Sequence, residues 1–488
     1  MKIIRFQDEI VLYWDKEWEL QSSPRYRVYV NGKEVATTEK THFTLYQLTP
    51  RTTYEIEIVR MVDDVQTVLF SEKVTTETAR KYIDVTKPPY NAVGDGKTVN
   101  TAALQRAIDD CKAGETVYIP VGVYLSGALK MHSDMELYVA KDAILQGTSK
   151  AEDYLPKIKS RFEGWTRECY RSLLNMGELD ENNYDYSCEN VVIRGGGAIY
   201  GGGLELLNDT IAVEKENLKD FISANPDVLK AFKNENVYYA RARGRLINAS
   251  NTKNVVISDL SLGYGASWNL HFIYSKEVVT CNCSISSEGV WNGDGWDPDS
   301  SEDCTLFNVD FCTGDDCVAI KSGKNPEGNI INRPSRNIRV FDCRCKNGHS
   351  IAVGSEMSGG VSDVFVWDCD IQNCEVGFQI KSARKRGGYV KNVRVADCKS
   401  SVIAVWVSLS YNDDGVSAEE LPVLSDYTFE NITLTGWEYP TLKRYIELCG
   451  AEEEQYHIRN VSFKNIRCLN VGEHQVLRVK NADNIRYE

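Results

Sequence analysis

Carboxylates gather in two neighbouring stretches, Trp291-Asn292-Gly293-Asp294-Gly295-Trp296-Asp297-Pro298-Asp299 and Cys312-Thr313-Gly314-Asp315-Asp316-Cys317-Val318-Ala319-Ile320-Lys321. Asp294 and Asp315 are 21 residues apart. If the chain completes one turn of a stacked structure in that interval, the two side chains come close, because stacked strands lie about 4.8 Å apart. Crowded carboxylates repel, and at least one then stays protonated at higher pH than usual. One acid and one base across a scissile bond suffice for glycoside hydrolysis. A calcium site, or solvated Asx turns, would use the same residue types.

Two further groups follow. His349, one of six histidines, stands in Lys346-Asn347-Gly348-His349-Ser350. Gly377-Phe378-Gln379-Ile380-Lys381-Ser382-Ala383-Arg384-Lys385-Arg386 packs four cations into a chain of net charge −14. Such a knot could face an anionic ligand. Taken singly, His349 is more often a hydrogen-bonded core histidine than a catalyst, and the cations more often a solvated turn.

The elements that must position these residues are legible as a repeat. Asn or Asp, then a short alternating strand, then often Asp-Cys, recurs at Asn190, Asn254, Glu277, Asp303, Asn337, Asp363, Asn392, Asp426 and Asn460. From Asn254 on, successive starts are 23 to 34 residues apart. That period, with one strand signature per unit and no intervening helices, predicts a right-handed parallel β-helix over residues 81–488. Cys343, Cys369 and Cys398 occupy one place in successive units and are expected to stack inside. A helix with Ala103, Leu104, Ala107, Ile108 and Cys111 on one face is expected to cap the solenoid near 100–113, started at Asn100-Thr101 and stopped at Gly114. The polar stretch at about 204–243, with a second helix start at Asn225-Pro226-Asp227, reads as an insertion on one face and a candidate wall for a cleft.

Residues 1–80 read differently. Ile10–Trp14 and Tyr26–Val30 are strands, the second closed by the turn pair Asn31-Gly32. Tyr54 leads an alternating strand just after Leu48-Thr49-Pro50, which resembles a tyrosine corner, and with Trp14 it suggests a fibronectin type III-like β-sandwich. No chemistry is visible there beyond His42, so packing or spacing is the expected role.

Composition bounds the rest. The chain has 488 residues, 42% hydrophobic and 26% charged, which is the balance of a folded protein. No apolar run is long enough for a membrane helix. The acidic balance argues against non-specific nucleic-acid binding. Fifteen cysteines without a disulfide framework fit buried thiols and a cytoplasmic setting, as does the first stretch of sequence, which lacks a signal-peptide pattern. No four-ligand zinc pattern and no cofactor motif is apparent.

Taken in order on a β-solenoid, Asn292-x-Asp294-Gly295-x-Asp297, Gly314-Asp315-Asp316, Gly348-His349 and Ile380-Lys381 resemble glycoside hydrolase family 28, the polygalacturonases. The resemblance runs from about Ile83 to the C-terminus. The Asp294-to-Asp315 spacing and Gly354-Ser355-Glu356-Met357-Ser358-Gly359-Gly360 resemble its bacterial exo-acting branch, which also carries a fibronectin-like N-terminal module. The resemblance implies a substrate of galacturonate-containing pectic oligosaccharides. It implies Asp315 as general acid, Asp294 and Asp316 as the residues that position and deprotonate water, and His349 as keeper of the acid's proton. Lys381 would grip a galacturonate carboxylate, with Asn292, Trp268, His271 and Tyr411 as further substrate contacts. It implies an inverting reaction, although strand spacing alone would set the carboxylates nearer the retaining separation. Three positions depart from the family. Gln379 stands for the usual Arg, Gly293 for Thr, and Ser350 for Gly. Since Gln cannot pair with a carboxylate as an ion, either Arg384 or Arg386 substitutes, or the adjoining sugar is neutral, as in rhamnogalacturonan. A β-helical lyase and a non-catalytic carbohydrate-binding solenoid are the other readings.

Overall fold

A computed structural model describes all residues except 21–22, 183–184, 233, 412–414, 440–441 and 472–475. The chain divides into two compact units, Met1–Tyr82 and Ile83–Glu488.

In the first unit, a three-stranded antiparallel sheet joins Lys2–Arg5, Ile10–Tyr13 and His42–Leu45, and a four-stranded one joins Arg25–Val30, Lys33–Thr38, Thr53–Val62 and Val65–Thr75. Asn31 and Gly32 both take positive φ, 50° and 75°, as a two-residue turn between twisted strands demands. The core is Ile10, Leu12, Trp14, Tyr26, Ile56, Ile58, Phe70 and Val74. Trp14 meets Tyr26 edge-on at 5.0 Å. The Tyr54 hydroxyl accepts the Thr49 N–H at 3.0 Å, tying the corner back on itself.

The second unit is a parallel β-helix. Its site-bearing face is an eleven-stranded parallel sheet running through Leu174–Met176, Ile247–Ser250, Leu270–Ile273, Trp296–Asp299, Val318–Ile320, Ser350–Val353, Gly377–Ala383 and Val402–Ser408. The repeated Asn/Asp has a physical cause. Asn190, Asn254, Asn337, Asp363, Asn392, Asp426 and Asn460 all lie between +52° and +67° in φ, the left-handed region that Asn and Asp tolerate best. Their side chains also bond coil to coil. Asn254 donates to Asn190 at 2.8 Å, Asn392 to Asp363 at 2.6 Å, and Asn460 to Asp426 at 2.8 Å. A second corner repeats the device at Asp342, Asp368 and Asp397, each just before a buried cysteine. Paired strands set Phe341 against Trp367 and Trp367 against Ala396. The registers therefore place Cys343, Cys369 and Cys398 one above another, as the sequence suggests. Beside them Phe307, Phe341 and Trp367 stack at 4.9 and 4.3 Å.

The cap helix spans Thr101–Asp110 and buries Leu104, Ala107 and Ile108. Its start differs from expectation. The Asn100 side chain makes no capping bond and instead exchanges hydrogen bonds with the backbone of Val93, at 2.7 and 3.0 Å. The insertion forms helices Gly203–Asn217, Lys219–Ala224 and Asn236–Ala240, with a 3-10 turn at Pro226–Ala231. It packs Leu207, Ile211, Tyr239 and Ala240 against Val290, behind the first acidic stretch.

One element was not anticipated. Ile158–Phe162 and Trp165–Cys169 form an antiparallel hairpin turned by Glu163 and Gly164, both at positive φ. It lies across the outward face of the site-bearing sheet. Ser160 bonds Asn248 at 3.1 Å, Arg161 bonds Asp299 at 2.7 Å, and Phe162 stacks on Trp268 at 5.1 Å. The insertion braces it through Arg241 to Glu163 at 2.7 Å.

Candidate active site

Trp296 pairs with Val318 across adjacent coils, and the Gly295 N–H donates to the Asp316 carbonyl. This register is one residue longer than the sequence spacing suggested. Asp294 is therefore level with Asp316, and Asp315 is offset along the turn.

Each carboxylate has a distinct setting. Asp315 accepts its neighbour's backbone N–H at 2.9 Å and faces His349 Nδ1 at 3.1 Å. His349 Nε2 lies 3.3 Å from Glu375. The hydrogen bond to Asp315 outweighs partial burial and pushes His349 up to about 9. Burial works to raise Asp315, yet His349, Lys381 and Lys321 together hold it below the ordinary carboxylate range. In the free protein the proton of this pair therefore resides on His349. Asp316 accepts Lys381 Nζ at 2.6 Å on one oxygen and Ser350 Oγ at 2.5 Å on the other. Asp294 faces Lys321 Nζ at 3.2 Å. Lys321 also approaches Asp297 at 3.5 Å and Glu356 at 3.6 Å, over the Trp268 ring.

Asp297 is the residue the sequence reading left without a role. It is fully buried, and neither of its oxygens is hydrogen-bonded among the described residues; Asp294 Oδ1 shares that condition. Burial, then the charges of Asp315 and Asp316 against the pull of Lys321, pushes Asp294 up to about 8. Burial and the adjacent Asp294 push Asp297 up as well. Two buried carboxyls beside one ammonium hold a proton between them.

Several expected substrate contacts are committed elsewhere. His271 is fully buried, bonded to Asp299 at 3.3 Å and pushed down to about 4 by burial. Trp268 is 2% exposed beneath the hairpin. Asn292 accepts Arg243 Nη2 at 2.8 Å. Arg384 forks onto Glu453, and Arg386 is buried against the Ser355 carbonyl and Asn325. Tyr411 is the exception: its ring lies 5.9 Å from the Arg386 guanidinium, and its phenol stays among the charges of Lys381, Asp315 and Asp316. Neither arginine thus stands in for the family cation at Gln379. Gln379 is itself buried and donates to Ser350 Oγ at 2.5 Å, so the Gln379–Ser350 pair steadies Asp316. These two departures from the family belong to one hydrogen-bonded chain, a link their 29-residue separation concealed.

A scan of family models matches residues 115–436 to glycosyl hydrolases family 28. The exo-poly-alpha-D-galacturonosidase of Dickeya chrysanthemi is 30% identical over 418 residues, covering 80% of this chain and 67% of that protein. The chain belongs to family 28. Its fold is that of the family's solved members. A Yersinia enterocolitica family 28 exopolygalacturonase superposes with a TM-score of 0.82 at 20% identity, over 100% of this chain and 95% of the other. An exopolygalacturonase from Thermotoga maritima gives 0.68 at 26% identity, over 84% and 92%. This family 28 protein is therefore a glycosidase, and the acidic turns at Asp294 and Asp315 sit within the matched region.

A first expected result concerns the Ser350 chain. Ser350→Ala removes a hydrogen bond to an ionised group, which is worth about 1.5–3 kcal/mol. Steady-state kinetics should show kcat lowered roughly ten- to hundredfold with KM little changed. An unchanged kcat would separate Ser350 from the function of Asp316.

Proposed function

We propose that the enzyme hydrolyses α-linked galacturonate from pectic oligosaccharides, starting at a chain end. The observation carrying this reading is the convergence of Asp294, Asp315 and Asp316 with His349 and Lys381 on one outward face. Asp315 donates to the glycosidic oxygen, with His349 supplying the proton it lacks at rest. Asp316, held between Lys381 and Ser350, and Asp294, which shares a proton with Asp297, orient and deprotonate the water. Product analysis on homogalacturonan and rhamnogalacturonan oligomers tests this. Free galacturonate as first product supports it, and unsaturated ends assign the chain to the lyases.

A second reading, that the sugar beside the scissile bond is neutral, is favoured by Gln379 and by the engagement of Arg384 and Arg386 with protein groups. Faster release from rhamnogalacturonan oligomers than from all-galacturonate ones would select it.

The pH profile follows from His349. Anionic Asp315 raises this histidine, so its proton persists above the usual range and is lost as pH rises through about 9. The alkaline limb of kcat/KM should lie there. Glu375→Gln removes a second supporting charge, so the limb should move to lower pH. A limb at the ordinary histidine value would detach His349 from the acid's protonation.

Proton transfer among carboxylates needs no Lewis acid, so activity should survive exhaustive chelation. Activity lost to chelator and restored by calcium would point to elimination instead. The fifteen free thiols support a reducing, cytoplasmic setting. The two-sheet N-terminal unit, with its tied Tyr54 corner, supports a fibronectin type III-like packing module.

A further inference from the structure

Three thiols converge directly beneath the acidic turn. Cys317 immediately follows Asp316. Cys345 and Cys374 come from later passes of the chain, and the three sulfur atoms all lie within 4.8 Å of one another. Cys317 and Cys374 are 3.8 Å apart. All three are buried, at 0, 2 and 3% exposure. This is a triangle, unlike the Cys343–Cys369–Cys398 column, whose members follow the stacking direction one coil at a time.

We infer that Cys317, Cys345 and Cys374 form a site for a single thiophilic monovalent cation, Cu(I), bound in a trigonal sulfur plane. Metal–thiolate bonds of about 2.3 Å set three trigonal sulfurs about 4.0 Å apart, close to the separation already present. Soft thiolates select Cu(I), whereas zinc asks for a fourth ligand. The polar groups beside Cys317 are engaged or unsuited to that place. Thr313 Oγ1, 3.5 Å from Cys317 Sγ, donates to the Asp315 carbonyl at 2.8 Å, and the Asn347 carbonyl accepts from Thr313 N–H at 3.0 Å. No histidine or carboxylate joins the triangle among the described residues. Binding displaces the thiol protons, so apparent affinity rises with pH. The cation would tie together three passes of the chain. Cys317 also holds the turn above, its N–H on the Ser350 carbonyl at 2.9 Å and its carbonyl accepting Trp296 N–H at 3.2 Å.

Anaerobic titration of the full chain with Cu(I), supplied against a competing chelator, tests the site. The expected result is one copper per chain, surviving desalting, in wild type and in Cys398→Ser. Cys374→Ser should lower the affinity at least tenfold while near-ultraviolet circular dichroism stays native. X-ray absorption of the loaded wild type should show three sulfurs at about 2.3 Å. Because that measurement needs no variant, it decides the matter even if Cys374→Ser misfolds. Wild type binding no copper, binding zinc in its place, showing two sulfurs, or matching a folded Cys374→Ser would each overturn the assignment.

Discussion

Asp315→Asn should fold normally and lose nearly all turnover. The amide matches the carboxylate in shape and can still accept the Asp316 N–H at its remaining oxygen, so the turn that carries it keeps its geometry. What it lacks is a proton to give. A leaving alkoxide must be protonated as the glycosidic bond breaks, and a positioned acid contributes about 10²–10⁴ in rate. The resting state makes the test sharper. Asp315 is held low and its proton is kept on His349. The asparagine variant should consequently lose both the rate and the alkaline limb near pH 9, because nothing remains to pass the histidine's proton onward. The checking measurements are kcat on a galacturonate oligomer and its pH profile, beside circular dichroism to confirm folding. Near wild-type turnover in a folded variant would take the acid's role away from Asp315.

Much of this was legible in the sequence because the β-helix advertises its corners. A left-handed turn at each coil start admits Asn, Asp or Gly at little cost, and stacking brings those side chains within hydrogen-bonding distance. The same positions therefore recur down the chain. Asp294 and Asp315 were readable for a related reason, since parallel coils convert sequence intervals into adjacency, whereas Asp316, His349 and Lys381 gained their roles only from the resemblance to family 28. What stayed hidden depends on contacts that no period encodes. Arg161 reaches Asp299 across 138 residues. The hairpin that delivers it turns on Glu163-Gly164, a short-range signal weak beside the solenoid's. Once that hairpin covers the sheet, outward-facing His271 and Asp297 become buried groups, which is why His271 departs from its expected substrate contact. The cysteine triangle escaped for the opposite reason. Four-ligand zinc motifs lie close in sequence, whereas these three thiols come from separate passes of the chain and from different places within them.

The covering hairpin also bears on where the enzyme attacks. The helical insertion at 204–243 was the expected wall, but it acts one step removed, bracing the hairpin through Arg241 and packing behind Val290. The hairpin itself crosses the coils just upstream of Asp294, and its turn continues over the following loop. The Lys324 N–H donates to the Gly164 carbonyl at 2.9 Å, and Trp165 donates to the Asn325 carbonyl at 2.9 Å. A side chain at Gly164 would meet the Lys324 backbone at 2.7 Å, so this contact is close and backbone-to-backbone. A polymer threaded along the sheet would have to pass through that contact. Long homogalacturonan should therefore be shortened one terminal unit at a time. Time-resolved sizing should show free galacturonate from the earliest samples, with the polymer peak almost unmoved and viscosity falling slowly. Replacing residues 163–166 with Asn-Gly, which shortens the hairpin by two residues, should lower the wall while keeping the buried Arg161–Asp299 pair. Mid-length fragments should then appear early, with the terminal rate on short oligomers reduced less than the pattern changes. Early random mid-chain cuts by the unaltered enzyme would contradict a closed end, because a sealed cleft cannot admit the interior of a chain.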